Sequence, residues 1–199
     1  MIEVIWNNLE SFVTFATILI SGYIFFNDPI RRWRFFGYRP SVLVILIDPS
    51  LKIVVFVNSG GSWTFSQGGV YNSDIYEAVE DVLRRDLSLK PDEYRLFYTK
   101  VAGKATLSKD WQKNYPIFGG VAFSSEIKGK AYIACMVMID SKMIKEMGYG
   151  VSEYKVVDQL EASEIFKDSV KNESKLKILK YCLTESGKAT SLWAETMGI

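Results

Sequence analysis

The sequence feature that most restricts the fold is an uncharged stretch near the amino terminus. Residues 11–27 contain no Asp, Glu, Lys or Arg and are mainly apolar. At ~1.5 Å per residue, such a helix is at the short end of what crosses ~30 Å of hydrocarbon. Trp6 before the stretch and Tyr23 within it resemble interfacial aromatic residues. We therefore expect one N-terminal transmembrane helix within residues 1–27. The alternatives are a helix buried in a soluble core and a secretory signal peptide.

A basic juxtamembrane segment follows this stretch at residues 28–40. It contains Asp28 and four arginines, Arg31, Arg32, Arg34 and Arg39. Basic residues flank the cytoplasmic side of membrane spans. The pattern predicts a single-pass protein of the inner (cytoplasmic) membrane, with its N-terminus outside and residues 41–199 as a cytoplasmic domain.

Small and hydroxylated residues recur at helical spacing along the predicted span. Such residues allow helices to approach closely and to share hydrogen bonds within a membrane. They predict a homo-oligomer that packs through this face, and simple tolerance of lipid is the alternative. The residues are Thr14, Thr17, Ser21 and Gly22.

The composition of the chain excludes several classes of function. Its 24 basic and 23 acidic residues give a net charge of +1, which argues against a protein that coats bulk nucleic acid. The chain contains no histidine, which excludes Ser-His-Asp, Cys-His and His-metal chemistry. Cys135 and Cys182 are far apart and lack metal-site spacing, so we expect buried thiols in a reducing compartment.

The remainder of the chain predicts a mixture of helices and strands. Two β-branched apolar runs, at 41–47 and 52–57, flank an Asp-Pro-Ser turn and indicate a hairpin. Apolar residues at helical spacing predict a helix over 75–87. Further strands are expected at 95–101, 117–123 and 132–139, and a final amphipathic helix over 163–185.

The segment Trp63-Thr-Phe65-Ser66-Gln67-Gly68-Gly69, followed by the predicted helix, resembles the Nudix hydrolase family. The nearest branch is that of the RNA pyrophosphohydrolases and dinucleoside-polyphosphate hydrolases, whose motif is W-x-F-P-Q-G-G. Ser66 replaces the proline. Residues 128–133 and the Glu153-Tyr154 pair fit later parts of the pattern. The resemblance implies an α+β fold, an α/β/α sandwich around a mixed sheet, over residues 41–199.

The metal-binding box implied by this resemblance is degenerate. Val82 and Arg85 occupy two of the three glutamate positions and Asp86 the third, while Asp81 replaces an arginine and Ser88 a glycine. Mg²⁺ prefers carboxylate and water oxygens, and a guanidinium would repel it. We therefore expect no metal cofactor. The residual catalytic candidates are Asp86 and Glu153.

One alternative would restore the chemistry of the family. The acidic residues Glu77, Glu80 and Asp81 repeat the metal-binding spacing one to two turns earlier on the helix. At ~100° per residue they would point away from the usual site, which favours a solvated face. Mg²⁺ would be the cofactor only if the chain were an active hydrolase.

The same segment predicts a ligand site that needs no metal. Arg84 and Arg85 could bind phosphate through their guanidinium groups. Trp63, Phe65 and Tyr132 could stack on a base, with core packing as the alternative for each. The predicted ligand-binding residues are Trp63, Phe65, Gln67, Gly68, Gly69, Arg84, Arg85, Lys128, Lys130 and Tyr132.

Three functions follow from these expectations. The domain order resembles the transmembrane–Nudix effectors of bacterial cyclic-oligonucleotide antiphage signalling (CBASS). That resemblance implies a membrane effector that senses a cyclic oligonucleotide or another nucleotide. The alternatives are an active membrane-tethered hydrolase of nucleoside polyphosphates and a membrane adaptor that binds a protein partner.

Overall fold

The computed structural model describes residues 2–72, 74–106, 127–144, 146–148 and 150–197. Along the chain, two helices precede the strands, a third helix lies between the fourth and fifth strands, and two helices follow the last strand. In chain order the elements are α1 (Ile2–Asn27), α2 (Pro29–Phe35), β1 (Tyr38–Ile47), β2 (Ile53–Asn58), β3 (Trp63–Thr64), β4 (Ser66–Gly69), α3 (Ile75–Leu87), β5 (Arg95–Thr106), β6 (Gly129–Met138), β7 (Val151–Val157), α4 (Gln159–Ser169) and α5 (Glu173–Met197).

The sheet is mixed, and β1 is its central strand. The main path runs β3-β2-β1-β6-β5, while β4 pairs with β1 and β7 pairs with β2. Strand β1 runs parallel to β6 and antiparallel to both β2 and β4. The predicted hairpin is confirmed, because β1 and β2 pair antiparallel.

Helices cover both faces of the sheet, so the predicted α/β/α sandwich is confirmed. Val42, Val44 and Leu46 of β1 pack in one core with residues of α2 and α3. Leu43, Ile45 and Ile47 pack in a second core with residues of α4 and α5. Burial on both faces explains why this strand is a continuous apolar run instead of an alternating one.

Helix α3 has defined signals at both ends. The Asp74 carboxylate accepts hydrogen bonds from the backbone N–H groups of Tyr76 (2.8 Å) and Glu77 (3.3 Å), which satisfies two free donors of the first turn. At the other end, Ser88 adopts a left-handed conformation with φ 55°. This conformation normally favours glycine, the residue that the family pattern has there.

The C-terminal region differs from the predicted single helix over 163–185. Two helices, α4 and α5, meet at residues 170–172. The Asn172 side chain accepts a hydrogen bond from the Lys175 N–H at 2.9 Å, and this cap favours a new helix start. Helix α5 also continues past Gly187, where a Cβ would lie 2.7 Å from the Gln159 amide. The strand predicted at 117–123 lies outside the described residues.

Helix α1 contradicts the predicted transmembrane span. Within the residues that the structure describes, no helix combines the length and the apolar character that crossing a membrane requires. The first third of α1 contains Glu3 and Glu10, and polar residues interrupt the uncharged stretch that follows. The finding overturns the predicted transmembrane helix, and with it the single-pass inner-membrane location.

The residues predicted to pack membrane helices lie on α1. Thr14, Thr17 and Ser21 are exposed, Gly22 is half-buried, and the Thr17 hydroxyl donates to the Val13 carbonyl at 2.8 Å. Because their predicted role depended on a membrane span, it has lost its basis. The homo-oligomer stays a prediction.

The arginine-rich segment packs against the sheet domain. Ile30 and Trp33 of α2 are buried in the same core as α3, and the Asp28 carboxylate caps α2. Arg34 donates to the backbone carbonyls of residues 70 and 71. This segment therefore helps to position the loop that follows β4.

Candidate functional site

A cavity of about 910 Å³ lies beside β4, between α3 and the first turn of α5. Five basic side chains and two carboxylates line it. Of the predicted ligand residues, Phe65, Gln67, Gly68, Gly69, Arg84, Arg85, Lys130 and Tyr132 line the cavity. Arg39, Tyr71, Asn172 and Lys175 also line it and were not predicted.

One side of the cavity contains the Asp86 ion pair, formed by Arg85 and Asp86 and supported by Ser66. The Asp86 carboxylate is buried and accepts from Arg85 Nε at 2.6 Å and from Arg85 Nη2 at 2.9 Å. The Ser66 hydroxyl donates to the same carboxylate, and Arg85 Nη2 donates to the Gln67 carbonyl at 2.8 Å. Hydrogen bonding to Asp86 raises the pKa of Arg85 above its usual value.

These residues do not fit the magnesium ion of the family. Val82 is buried in the apolar core, Arg85 brings a positive charge, and the Asp86 oxygens already accept three hydrogen bonds. Asp86 is also covered closely, because a Cβ on Gly150 would lie 2.4 Å from its Oδ1. Across the described ranges, no three His, Cys, Asp or Glu side chains could hold a metal ion together.

The alternative acidic group on α3 is dispersed. Asp81 pairs with Arg84 at 2.6 Å, and both side chains are exposed. The Glu77 carboxylate accepts from the Asn72 side chain at 3.2 Å. Asp81 and Arg84 line the cavity as a compensated surface pair.

Another part of the cavity lining contains a cationic cluster of Arg39, Lys130 and Lys175. Arg39 and Lys130 are partners in the parallel register of β1 and β6, and Lys175 is in the first turn of α5. In the described part of the chain, no carboxylate lies within salt-bridge distance of Lys130 or Lys175. Burial, followed by the charges of Arg39, Lys175 and Arg85, lowers the pKa of Lys130 to about 8. Burial also lowers the pKa of Lys175.

The aromatic residues predicted to stack on a base have other roles. Phe65 is fully buried and packs edge-on against Phe166, with ring centroids 5.1 Å apart. Tyr132 is 3% exposed and forms part of the cavity lining from within the core. Trp63 does not line the cavity, and its ring lies under Lys155 at 5.0 Å. The aromatic side chain that is both exposed and in the lining is Tyr71.

Two further predicted residues lie outside the cavity lining. Lys128 is exposed just before β6, and its backbone N–H donates to the Gly37 carbonyl at 2.8 Å. Glu153 is exposed on β7, where it pairs in register with Val57 of β2. The structure therefore does not bring Glu153 together with Asp86.

Local sequence patterns did not indicate that Arg39 and Lys175 belong to the cavity. Arg39 was assigned to a membrane-flanking segment, although it follows directly on Tyr38, where β1 begins. Lys175 belongs to no motif, and only the break before α5 brings it to the cavity. The signal that could have found Arg39 is its charge, combined with the register of β1 and β6 that pairs it with Lys130.

Both thiols are buried and free, as predicted. Burial raises the pKa of Cys182 to about 12 and that of Cys135 further. Neither lines the cavity, so the described site has no thiolate nucleophile.

Comparison with solved structures identifies the fold. The chain is similar to a Nudix hydrolase from M. smegmatis, RenU, with a TM-score of 0.50 and 10% identity over 79% of this chain and 87% of that one. The fold is Nudix-like. Other similar structures are an Ap4A hydrolase from C. elegans (TM-score 0.48, 9% identity, 75% and 98% of the two chains) and the MutT protein of Methanosarcina mazei Go1 (0.46, 11%, 77% and 96%). No family model and no curated protein matches the sequence.

Proposed function

We propose that this chain binds a phosphate-bearing nucleotide in the cavity without a metal ion. A nucleotide signal such as a cyclic oligonucleotide is the ligand class that fits the proposal. The observation that carries it is the cationic cluster, where Lys130 and Lys175 have no salt-bridge partner among the described residues. Two partly buried ammonium groups that lack a counterion among the described residues favour an anion, because neighbouring like charges raise the free energy of each charged group.

The Asp86 ion pair supports binding over hydrolysis. Nudix-type hydrolysis requires a metal ion that activates water and neutralises phosphate charge. Here the Arg85 guanidinium occupies one ligand position and neutralises Asp86 at 2.6 Å. Positive charge for the phosphates comes instead from Arg39, Lys130 and Lys175, on elements outside the Nudix box.

The proposal is tested by calorimetric titration of the full chain. The ligands are cyclic di- and trinucleotides and linear nucleoside polyphosphates, each with Mg²⁺ and with EDTA. We expect binding in EDTA that is at least as tight as binding with Mg²⁺. At 100 times its Kd, a ligand should add about 2.7 kcal/mol to the free energy of unfolding.

Two lysines of α5 provide a matched pair of variants. Lys175→Met should weaken binding at least tenfold, because a charge-assisted hydrogen bond contributes about 1.5–3 kcal/mol. Lys177→Met should leave affinity unchanged, because Lys177 is exposed and outside the cavity lining. Binding that requires Mg²⁺, or release of phosphate from the polyphosphates, would contradict the proposal and support a hydrolase.

A further inference from the structure

Tyr71 is a large aromatic side chain held at the rim of the cavity. It is 57% exposed and follows β4 by two residues. The other aromatic residues of the lining, Phe65 and Tyr132, are buried in the core. Tyr71 is therefore the aromatic ring of the described lining that a ligand can reach.

The backbone at Tyr71 is fixed by elements on both sides. The Val70 N–H donates to the Pro40 carbonyl at 3.0 Å. Arg34 of α2 donates through Nη2 to the carbonyl of Val70 at 2.7 Å and to that of Tyr71. An exposed loop residue with these anchors has less freedom to lose when a ligand binds.

The Tyr71 side chain is held as well. Arg39 Nη2 donates to the Tyr71 hydroxyl at 2.8 Å, and the Arg39 guanidinium carbon lies 5.7 Å from the ring centroid. Gly69 makes room for this arrangement, since a Cβ there would lie 2.8 Å from Arg39 Nη2 and 3.3 Å from Tyr71 Cζ. Arg39 thus links the ring to the cationic cluster.

We infer that Tyr71 is the stacking surface for the base of the ligand, and this inference rests on the proposed function. The adjacent cations would bind phosphate while the ring takes the base. The site would then select a nucleotide over a base-free polyphosphate. Stacking on an aromatic side chain contributes about 1–3 kcal/mol per base, which corresponds to roughly 5- to 150-fold in affinity.

The test compares ATP and cyclic di-AMP with inorganic tripolyphosphate, in EDTA, by calorimetric titration of the full chain. For the native protein we expect at least fivefold tighter binding of one of the nucleotides than of tripolyphosphate. Tyr71→Ala should remove this preference through a larger loss of affinity for the nucleotide than for tripolyphosphate, whose binding is retained. That retained affinity also shows that the variant is folded.

Two further variants separate the ring from its hydroxyl and from exposed tyrosines in general. Tyr71→Phe should keep the nucleotide preference, because the ring remains. Tyr76→Ala should keep it as well, since Tyr76 is 71% exposed on α3 but does not line the cavity. Loss of the preference in both alanine variants would overturn the specific role of Tyr71.

The outcomes also distinguish this inference from the proposed function. If tripolyphosphate and both nucleotides bind the native protein equally, or if Tyr71→Ala keeps the preference, the stacking role is wrong and the phosphate site stands. If none of the three probes binds, the proposed function fails and the stacking role fails with it.

Discussion

Two groups of charged residues in the cavity lining differ in how their charges are balanced. On the α3 side, the buried carboxylate of Asp86 is matched by Arg85 at 2.6 Å and by the Ser66 hydroxyl. On the β1–β6 side, Lys130 and Lys175 line the cavity with no ion pair among the described residues. The Asp86 carboxylate thus has its partners within the described residues, whereas the two lysines have no carboxylate partner there, which is the basis for proposing a bound anion. We therefore propose a structural role for Asp86 and a binding role for the cationic cluster.

The largest expected effect is on stability and falls on the α3 side. Asp86→Ala removes a buried carboxylate and leaves Ser66 and the half-exposed Arg85 without it. Breaking a buried pair costs about 3–5 kcal/mol, and the solvent access of Arg85 reduces our expectation to about 2–3 kcal/mol. Urea denaturation measures it. The control Asp81→Ala breaks an exposed pair and should cost under about 1 kcal/mol. Equal losses would remove the contrast between the two pairs.

The second effect is on affinity and concerns the cationic cluster. Lys130→Met should weaken nucleotide binding by about 10- to 100-fold, as expected for one charge-assisted hydrogen bond. It should not lower the free energy of unfolding, because it relieves repulsion with Arg39 and Lys175. Titration and urea denaturation of the same variant separate the two readouts. Lys128→Met is the control, since Lys128 lies outside the cavity lining; a similar loss of affinity there would argue against a localised site.

The third prediction is a dependence of binding on pH. The pKa of Lys130 is about 8 in the folded chain, against about 10.4 when unfolded. Affinity should fall by about tenfold between pH 7 and pH 9.5 as Lys130, which faces the charges of Arg39, Arg85 and Lys175, loses its proton. Titrations across this range measure it. Lys130→Met should flatten the profile, and an unchanged slope in that variant would assign the titration elsewhere.

The lowered pKa of Lys130 also predicts that stability rises with pH, whereas affinity falls. A lysine whose pKa is lowered on folding binds fewer protons in the native state than in the unfolded state. The free energy of unfolding of the unliganded chain should therefore rise with pH between about 8 and 10. The rise should be absent in Lys130→Met.

The smallest effect is on stability and concerns the C-terminal end of α3, the helix that carries Arg85 and Asp86. Ser88→Gly should stabilise the chain by about 0.5–1 kcal/mol, because glycine adopts the left-handed conformation at φ 55° without strain. Thermal denaturation detects the gain, and nucleotide affinity should not change. A loss of stability would mean that the Ser88 side chain contributes more than its backbone strain costs.

Local patterns predicted most elements of the sheet domain. Helix α3 was predicted from its apolar spacing and the Asp74 cap, and the β1–β2 hairpin was predicted from two β-branched runs. The membrane span was wrong because a 17-residue uncharged stretch, with polar residues inside it, is short for that purpose. The length of such a stretch can be read from the sequence, whereas its surroundings in the fold cannot.

The site was predicted only where it coincided with a motif. Gln67, Gly68 and Gly69 line the cavity and belong to the segment that carries the resemblance. Gly68 permits contact between β4 and α3, since a Cβ there would lie 2.3 Å from Val82 Cγ2. Arg39 and Lys175 reach the cavity through long-range strand register and a helix break. The residues next to Arg39 and Lys175 in the sequence predict neither the strand register nor the helix break.

The parallel pairing of β1 with β6 has a consequence for how the chain acquires its site. Tyr38 pairs with Gly129, and Arg39 with Lys130, so these partners are separated by roughly 90 residues. Contacts of such long sequence separation form slowly, because the closure entropy must be met before pairing stabilises it. During synthesis, Arg39 can pair with Lys130 only after most of the domain has been synthesised. A ligand that joins these two strands would then hold together a pairing of long sequence separation, and it would oppose its opening during unfolding.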